Sequence, residues 1–437
     1  VSGSAPPLPT LLVLPSGVGC DQGGYAGDGL PAARLLAAAS GCLVTHPNAL
    51  NAAMLGWSDR RIHYVEGWSL DRFAAGELAL RPVAGRRVGL LLDAGIEAEL
   101  LQRQLQAAEA CRASLGLAIG PVLISDAPFG VSLSLGPSGS SWGSLANPEA
   151  LLRGGRALRQ RGAEAIAVVA RFPDDPDSPA LAAYRQGSGV DALAGAEAVI
   201  SHLLSRELGI PCAHAPALAP LPLDPQLDPR AAAEELGYTF LPCVLIGLSR
   251  APDLVPLSHA RQGPRGDGGN PRPPSLASSA ATDSAAARHQ ASLLRGADLG
   301  AVVAPAGALG GAAVLACAAR GVPLIAVTSN SCLLRVDGAA LGLEVLEAAS
   351  YAEAAGLVLA LREGLDPAGL RRPLERLRVE QLPAEQPAAE PRQLELQRLE
   401  LQRLELQRVE APPAAEQQLQ DPQAEAQQQH RTGSIKT

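Results

Sequence analysis

The chain has 437 residues, of which 47% are apolar, enough for one large α/β domain or for two domains with a tail. Its 36 basic and 44 acidic residues give a formal net charge of -8, and no basic block interleaves with aromatic residues, so a nucleic-acid partner is excluded. Lys436 is the single lysine, which removes Schiff-base catalysis, pyridoxal phosphate attachment and a Walker-type phosphate lysine from the folded part.

In chain order, the first element is a strand at "LLVLP", followed by "SGVGCDQGGYAGDGLP" and a helix at "PAARLLAAA". Six glycines crowd this loop, and it falls at the carboxyl end of a strand, where α/β proteins carry ligands. One reading is a nest of backbone N–H groups, open to solvent until a ligand arrives, in which Gly23, Gly24 and Gly27 hold an anionic group and Asp28 orients it or takes a proton. The other is a turn whose glycines supply positive φ angles, with Asp28 capping the helix. No dinucleotide fingerprint fits, because the G-x-G-x-x-A spacing starting at Gly27 carries a carboxylate where a diphosphate would lie.

A second strand, "GCLVTHP", leads to a helix at "NALNAAML". His46 is a candidate general acid or base, and Asn48 and Asn51 can bind a polar substrate; alternatively they cap the strand and the helix. The strand "RRVGLLLDAG" precedes a long helix, "IEAELLQRQLQAAEACRASLG". Next comes "GPSGSSWGSLANPE", read as a join between lobes, with a helix starting at Pro148. Its Ser138, Ser140 and Ser141 suit a carboxylate or phosphate, but the spacing is not a nucleophile elbow.

Further strands are expected at "AEAIAVVARF", "GIPCAHAPAL", "LPCVLIGL", "LGAVVAPAG" and "GVPLIAVTSN". Glu197 and His202 lie five apart, about 140° round a helix, and cannot chelate one metal, so His202 reads as a satisfied, partly buried residue. His214, at a strand end, is a third candidate catalytic group. The turn with Gly310 and Gly311, followed by Asn330 after the next strand, lacks the third glycine and the acidic residue of a dinucleotide site. No cofactor or metal is identified by any complete motif.

Continuous apolar runs alternating with helices give an α/β class with mainly parallel, Rossmann-like sheets. The expected division is an N-terminal lobe over 1–137, a second lobe over 138–371 and a tail over 372–437, with 261–292 as a disordered insertion. In the tail glutamate recurs every fifth residue from Glu375 to Glu410, and "LELQR" repeats three times. Five residues turn a helix by about 500°, so the leucines form no stripe and the segment reads as disordered. Seven cysteines are scattered singly, with no C-x-x-C, and read as small buried hydrophobes in a reducing compartment. No apolar run reaches the length of a membrane span and the N-terminal stretch lacks a signal-peptide pattern, so a soluble cytoplasmic protein is expected, with no membrane partner.

The strings "GGYAGDGLPAARLLA", "THPNALNAAM", "YVEGWSLDRFAAGELALRPV", "PSGSSWG", "AIAVVARFPDD" and "AAAEELGYTFLPCVLIGLSRAP" resemble a cyanobacterial and plastid-lineage family that carries a domain of unknown function. The resemblance covers most of residues 10–365. It implies a photosynthetic host and carries no catalytic assignment. The expected function is an enzyme acting on a small polar or anionic metabolite, with a non-catalytic binding or assembly protein as the alternative.

Overall fold

The computed structural model describes residues 5–51, 59–235, 240–257 and 293–374, with a few positions beyond (376–377, 379, 398–400 and 402). The 261–292 insertion and nearly all of the 372–437 tail lie outside the described residues. The chain divides into two units, Val1–Arg372 and Pro373–Thr437. In the second, residues 398–400 and 402 are helical and exposed where their exposure is described.

The first unit holds two parallel sheets. The six-stranded one has the order β15 (Leu346–Ala348), β14 (Leu324–Val327), β13 (Ala301–Pro305), β1 (Thr10–Leu12), β2 (Leu43–Thr45), β3 (Ile62–Tyr64). Its chain order therefore runs outward from β1 to β3 on one side and from β13 to β15 on the other. The reversal between β1 and β13 makes a crevice at their carboxyl ends. The four-stranded sheet has the order β10 (Cys212–Ala217), β9 (Ala165–Arg171), β5 (Val88–Leu92), β6 (Ile119–Ile124). Each sheet draws strands from both sides of residue 137.

Burial on both faces explains the unbroken apolar strands. Leu11, Val44, Val302 and Ala326 face one way, with Leu70 and Phe73 of helix Gly67–Ala74 and Val314 of helix Ala312–Ala318. Their neighbours Leu12, Leu43, Val303 and Ile325 face the other way, with helices Leu30–Ser40 and Tyr351–Arg362. This is the alternation that a strand sandwiched between two helical layers requires.

Between the sheets lies the helix Leu241–Arg250, where the sequence "LPCVLIGL" had predicted a strand. Val244, Leu245, Ile246 and Leu248 are all buried because the helix touches both sheets, and a helix that is apolar all round gives no periodic signal. Two smaller sheets complete the unit. Strands β11 (Asp253–Pro256), β4 (Leu78–Arg81) and β12 (Leu294–Arg295) are antiparallel, and β7 (Val131–Leu135) and β8 (Ser141–Leu145) form a hairpin. That hairpin replaces the expected join between lobes at 136–149; the helix Pro148–Gln160 starts where Pro148 predicted.

Candidate functional site

The loop after β1 is glycine-rich because it is tightly folded on itself. Gly17, Gly19, Gly23 and Gly27 have φ from +61° to +88°, a region that side chains with a Cβ rarely enter. Gly24 is needed for a different reason, since a Cβ there would lie 2.1 Å from the Cys20 carbonyl oxygen. The loop is mostly buried, not open to solvent as the sequence suggested. Its cover comes from the helices Pro179–Arg185 and Pro229–Glu235, which the glycine pattern could not foretell.

Asp28 does not cap the following helix, which has no side-chain cap. Its Oδ1 accepts a bond from the Gly23 N–H (2.5 Å) and its Oδ2 faces Arg230 at 3.3 Å. Burial nonetheless raises its pKa. Arg230 also donates to the Cys20 carbonyl and lies 4.3 Å above the Tyr25 ring, which stacks on Tyr184 with centroids 4.2 Å apart. Glu234 accepts from the Ala26 N–H and, at 2.7 Å, from the Tyr184 hydroxyl. Burial pushes the Glu234 pKa up to about 8. Once protonated, Glu234 can donate to Tyr184, whose hydroxyl then has the Gly24 carbonyl at 3.5 Å as an acceptor.

A second group acts on this one through charge alone. His214 on β10 sits between Ser201 Oγ (2.5 Å from Nδ1) and Glu197 Oε2 (3.4 Å from Nε2). Glu197 and Ser201 are one turn apart on the helix Ala194–Leu208, so both reach the strand. Asp191, at the start of that helix, is raised to about 7, first by burial and then by Glu197. Asp191 and Glu197 both act electrostatically on Glu234, so these side chains form one field. Glu66, at the end of β3, caps helix Gly67–Ala74 and lies 3.0 Å from His202, which satisfies that histidine.

The remaining sequence candidates are mostly committed to holding the backbone. His46 Nε2 accepts from the Leu14 N–H at 2.9 Å, and burial lowers its pKa to about 4, so it is a neutral acceptor at the end of β2. Asn48 donates to the Gly23 carbonyl and Asn51 accepts from Tyr64. Asn330 bonds both ways with the Gln22 backbone and donates to the Tyr351 hydroxyl. Ser141 accepts from Gly195 N–H and donates to the Ala192 carbonyl, while Ser138 and Ser140 bond to each other in the exposed hairpin turn. A Cβ on Gly310 would meet Val336 at 2.9 Å, and Asp71 accepts from Ala313, beside Gly311 at the start of the next helix. A carboxylate thus already occupies the place of an anion.

The structure therefore places Asp28 in one hydrogen-bonded cluster and His214 in a second that acts on it through charge alone, with His46 beside the first. Sequence reading missed Tyr184, Asp191, Ser201, Arg230 and Glu234; Arg230 and Glu234 stand one turn apart on helix Pro229–Glu235, but the others come from separate segments, so no single spacing joins the set. Among the described residues, no three His, Cys, Asp or Glu side chains converge as a metal set. A shallow recess between Arg156, Arg159 and Glu207 lies at the ends of helices that lead into β9 and β10, on the opposite edge of that sheet.

These features define a mixed α/β protein with a mainly parallel six-stranded sheet and a titratable cluster at strand carboxyl ends. The chain belongs to the DUF3326 family of proteins of unknown function, whose model matches residues 9–371. It is 50% identical over 363 residues to a protein of Synechococcus sp. named as an uncharacterised lipoprotein, covering 83% of this chain and 93% of that one. No solved structure matches the chain. Among the described residues no helix is long and apolar enough to cross a membrane.

Proposed function

We propose that the protein is an enzyme that moves protons on a small polar metabolite bound between the carboxyl edge of the six-stranded sheet, which carries the glycine loop, and β10 of the four-stranded sheet. The observation that carries this reading is the convergence of His214, held between Glu197 and Ser201, with two carboxyl groups whose pKa values burial raises into the neutral range. Asp191 and Glu234 would serve as acids and His214 as the base. Ser201 is only 3% exposed, which disfavours an acyl-enzyme route. The strand order, reversing between β1 and β13, is that of Rossmann-like folds and supports a ligand near this edge. Among the described residues, the cation bound in this cluster, Arg230, is already taken by Asp28 and Tyr25, so a neutral or cationic ligand suits the field better than an anionic one.

A second reading, a binding or assembly protein without turnover, is favoured by one observation. The glycine loop is closed by the chain's own side chains, as a scaffold would be. A cytoplasmic location remains part of the proposal; the Synechococcus relative's name calls that protein a lipoprotein. A thermal-shift screen of polar metabolite mixtures, followed by mass spectrometry of the hits, tests the function. A stabilising compound that is also chemically changed supports the enzyme; stabilisation without change supports the second reading.

A further inference from the structure

The loop after β1 and the segment after β14 run antiparallel across the switch-point crevice. Leu333 N–H bonds to the Val18 carbonyl, Asp21 N–H to the Ser331 carbonyl, and Gln22 N–H to the Asn330 side chain. The Ser331 N–H and hydroxyl both bond to Asp21 Oδ2. These bonds flank Cys20 on one segment and Cys332 on the other, one residue out of a regular antiparallel register, and so hold the two cysteines beside each other. Cys20 Sγ donates to the Pro15 carbonyl and Cys332 Sγ to the Leu334 carbonyl, and the two thiols lie close enough to shift each other's acidity.

We propose that Cys20 and Cys332 are a redox-active dithiol, with Cys332 the attacking thiol and Cys20 the resolving one. Exposure sets the roles: Cys20 is 1% exposed, whereas Cys332 is only half-buried. The chemistry agrees. The neighbouring Cys20 thiol lowers the Cys332 pKa to about 7, and the same proximity, with burial, holds Cys20 protonated. Asp21 and Asp28 also face Cys20 and oppose a second negative charge there.

The oxidant is a small-molecule disulfide, RSSR. The Cys332 thiolate attacks one sulfur, the S–S bond breaks, and RS⁻ leaves, giving a mixed disulfide on Cys332. Cys20 then loses its proton to solvent and attacks the Cys332 sulfur, expelling the second RS⁻. The protein pair is oxidised by two electrons, RSSR is reduced to two thiols, and the two protein protons end on them. The new bond would tie the glycine loop to the segment after β14 across the crevice. This inference is independent of the proposed activity, and its readout is covalent.

The test is to incubate the full chain with oxidised glutathione, block remaining thiols with N-ethylmaleimide, and digest with trypsin without reduction. Trypsin cuts after Arg34, after Arg320 and after Arg335, so the peptide ending at Arg34 should appear linked to peptide 321–335 and separate on adding dithiothreitol. Cys20→Ser should instead accumulate a glutathione adduct on Cys332, and Cys332→Ser should show no adduct on Cys20. If the wild-type chain carries glutathione on Cys332 without the cross-link, links a different cysteine, or leaves both thiols unreacted, the proposal is overturned. The wild-type result decides the matter should a variant fail to fold.

Discussion

Gly24 shows how a residue chosen for a ligand can be required by the fold. With the Cys20 carbonyl 2.1 Å from the place of its missing Cβ, Gly24→Ala must displace backbone, and a loss of about 1–3 kcal/mol is expected in a denaturant titration. Asp28→Asn removes the charge that faces Arg230 and should also lower stability, by about 1 kcal/mol or more, because the pair is partly buried. A pair of variants with wild-type stability would restore the open-loop reading. Glu234 is the residue whose protonation matters most. Its folded pKa of about 8 exceeds the ordinary 4.5, so the proton it keeps contributes stability at low pH that is lost as pH rises through about 8. The stability of the wild type minus that of Glu234→Gln should therefore fall between pH 4.5 and about 8. The difference cancels Cys332 and His46, whose lowered pKa values act in the opposite direction over their own ranges. A flat difference would mean that Glu234 titrates normally.

At the scale of elements, the strands of the two sheets could be read where an apolar run was bounded by turn residues, as in "AVVAPAG" and "LIAVTSN". Short or half-polar strands such as β3, β4 and β15 could not, since three or four residues carry too little periodicity. Helix Leu241–Arg250 was misread because its neighbours bury nearly every face, so its sequence is apolar all round and carries no helical period. Gly247 gives the test of that placement. A Cβ there would lie 2.5 Å from the Tyr64 ring, so Gly247→Ala should cost about 1–3 kcal/mol despite alanine's better helix propensity. A gain in stability on thermal melting would mean that the helix does not press on β3. The candidate site was legible in part for the same reason. Asp28, in the glycine loop, could be nominated singly, as could His214, which lies within β10 and not at the strand end that the sequence suggested. Arg230, Glu234 and Tyr184 come from helices that show no signal until they fold over the loop.

At the scale of the molecule, each parallel sheet joins a block of early strands to a block of late ones, and the titratable cluster exists only when residues 28, 184, 191, 197, 214 and 234 are brought together. The family match ends at residue 371, and the pentad repeat beyond it has no apolar stripe. Ending the chain at Arg372 should leave the melting temperature unchanged, and a fall of several degrees would show that the tail contributes to the fold. The most direct test of the acid–base site is conversion of a polar metabolite mixture, followed by mass spectrometry, with wild type, His214→Gln, Glu234→Gln and the surface variant Arg153→Gln compared side by side. The expected result is a compound consumed by wild type and Arg153→Gln and converted about 100-fold or more slowly by the other two, all four remaining folded. Equal conversion by His214→Gln and Glu234→Gln, or no conversion by the wild type, would contradict it.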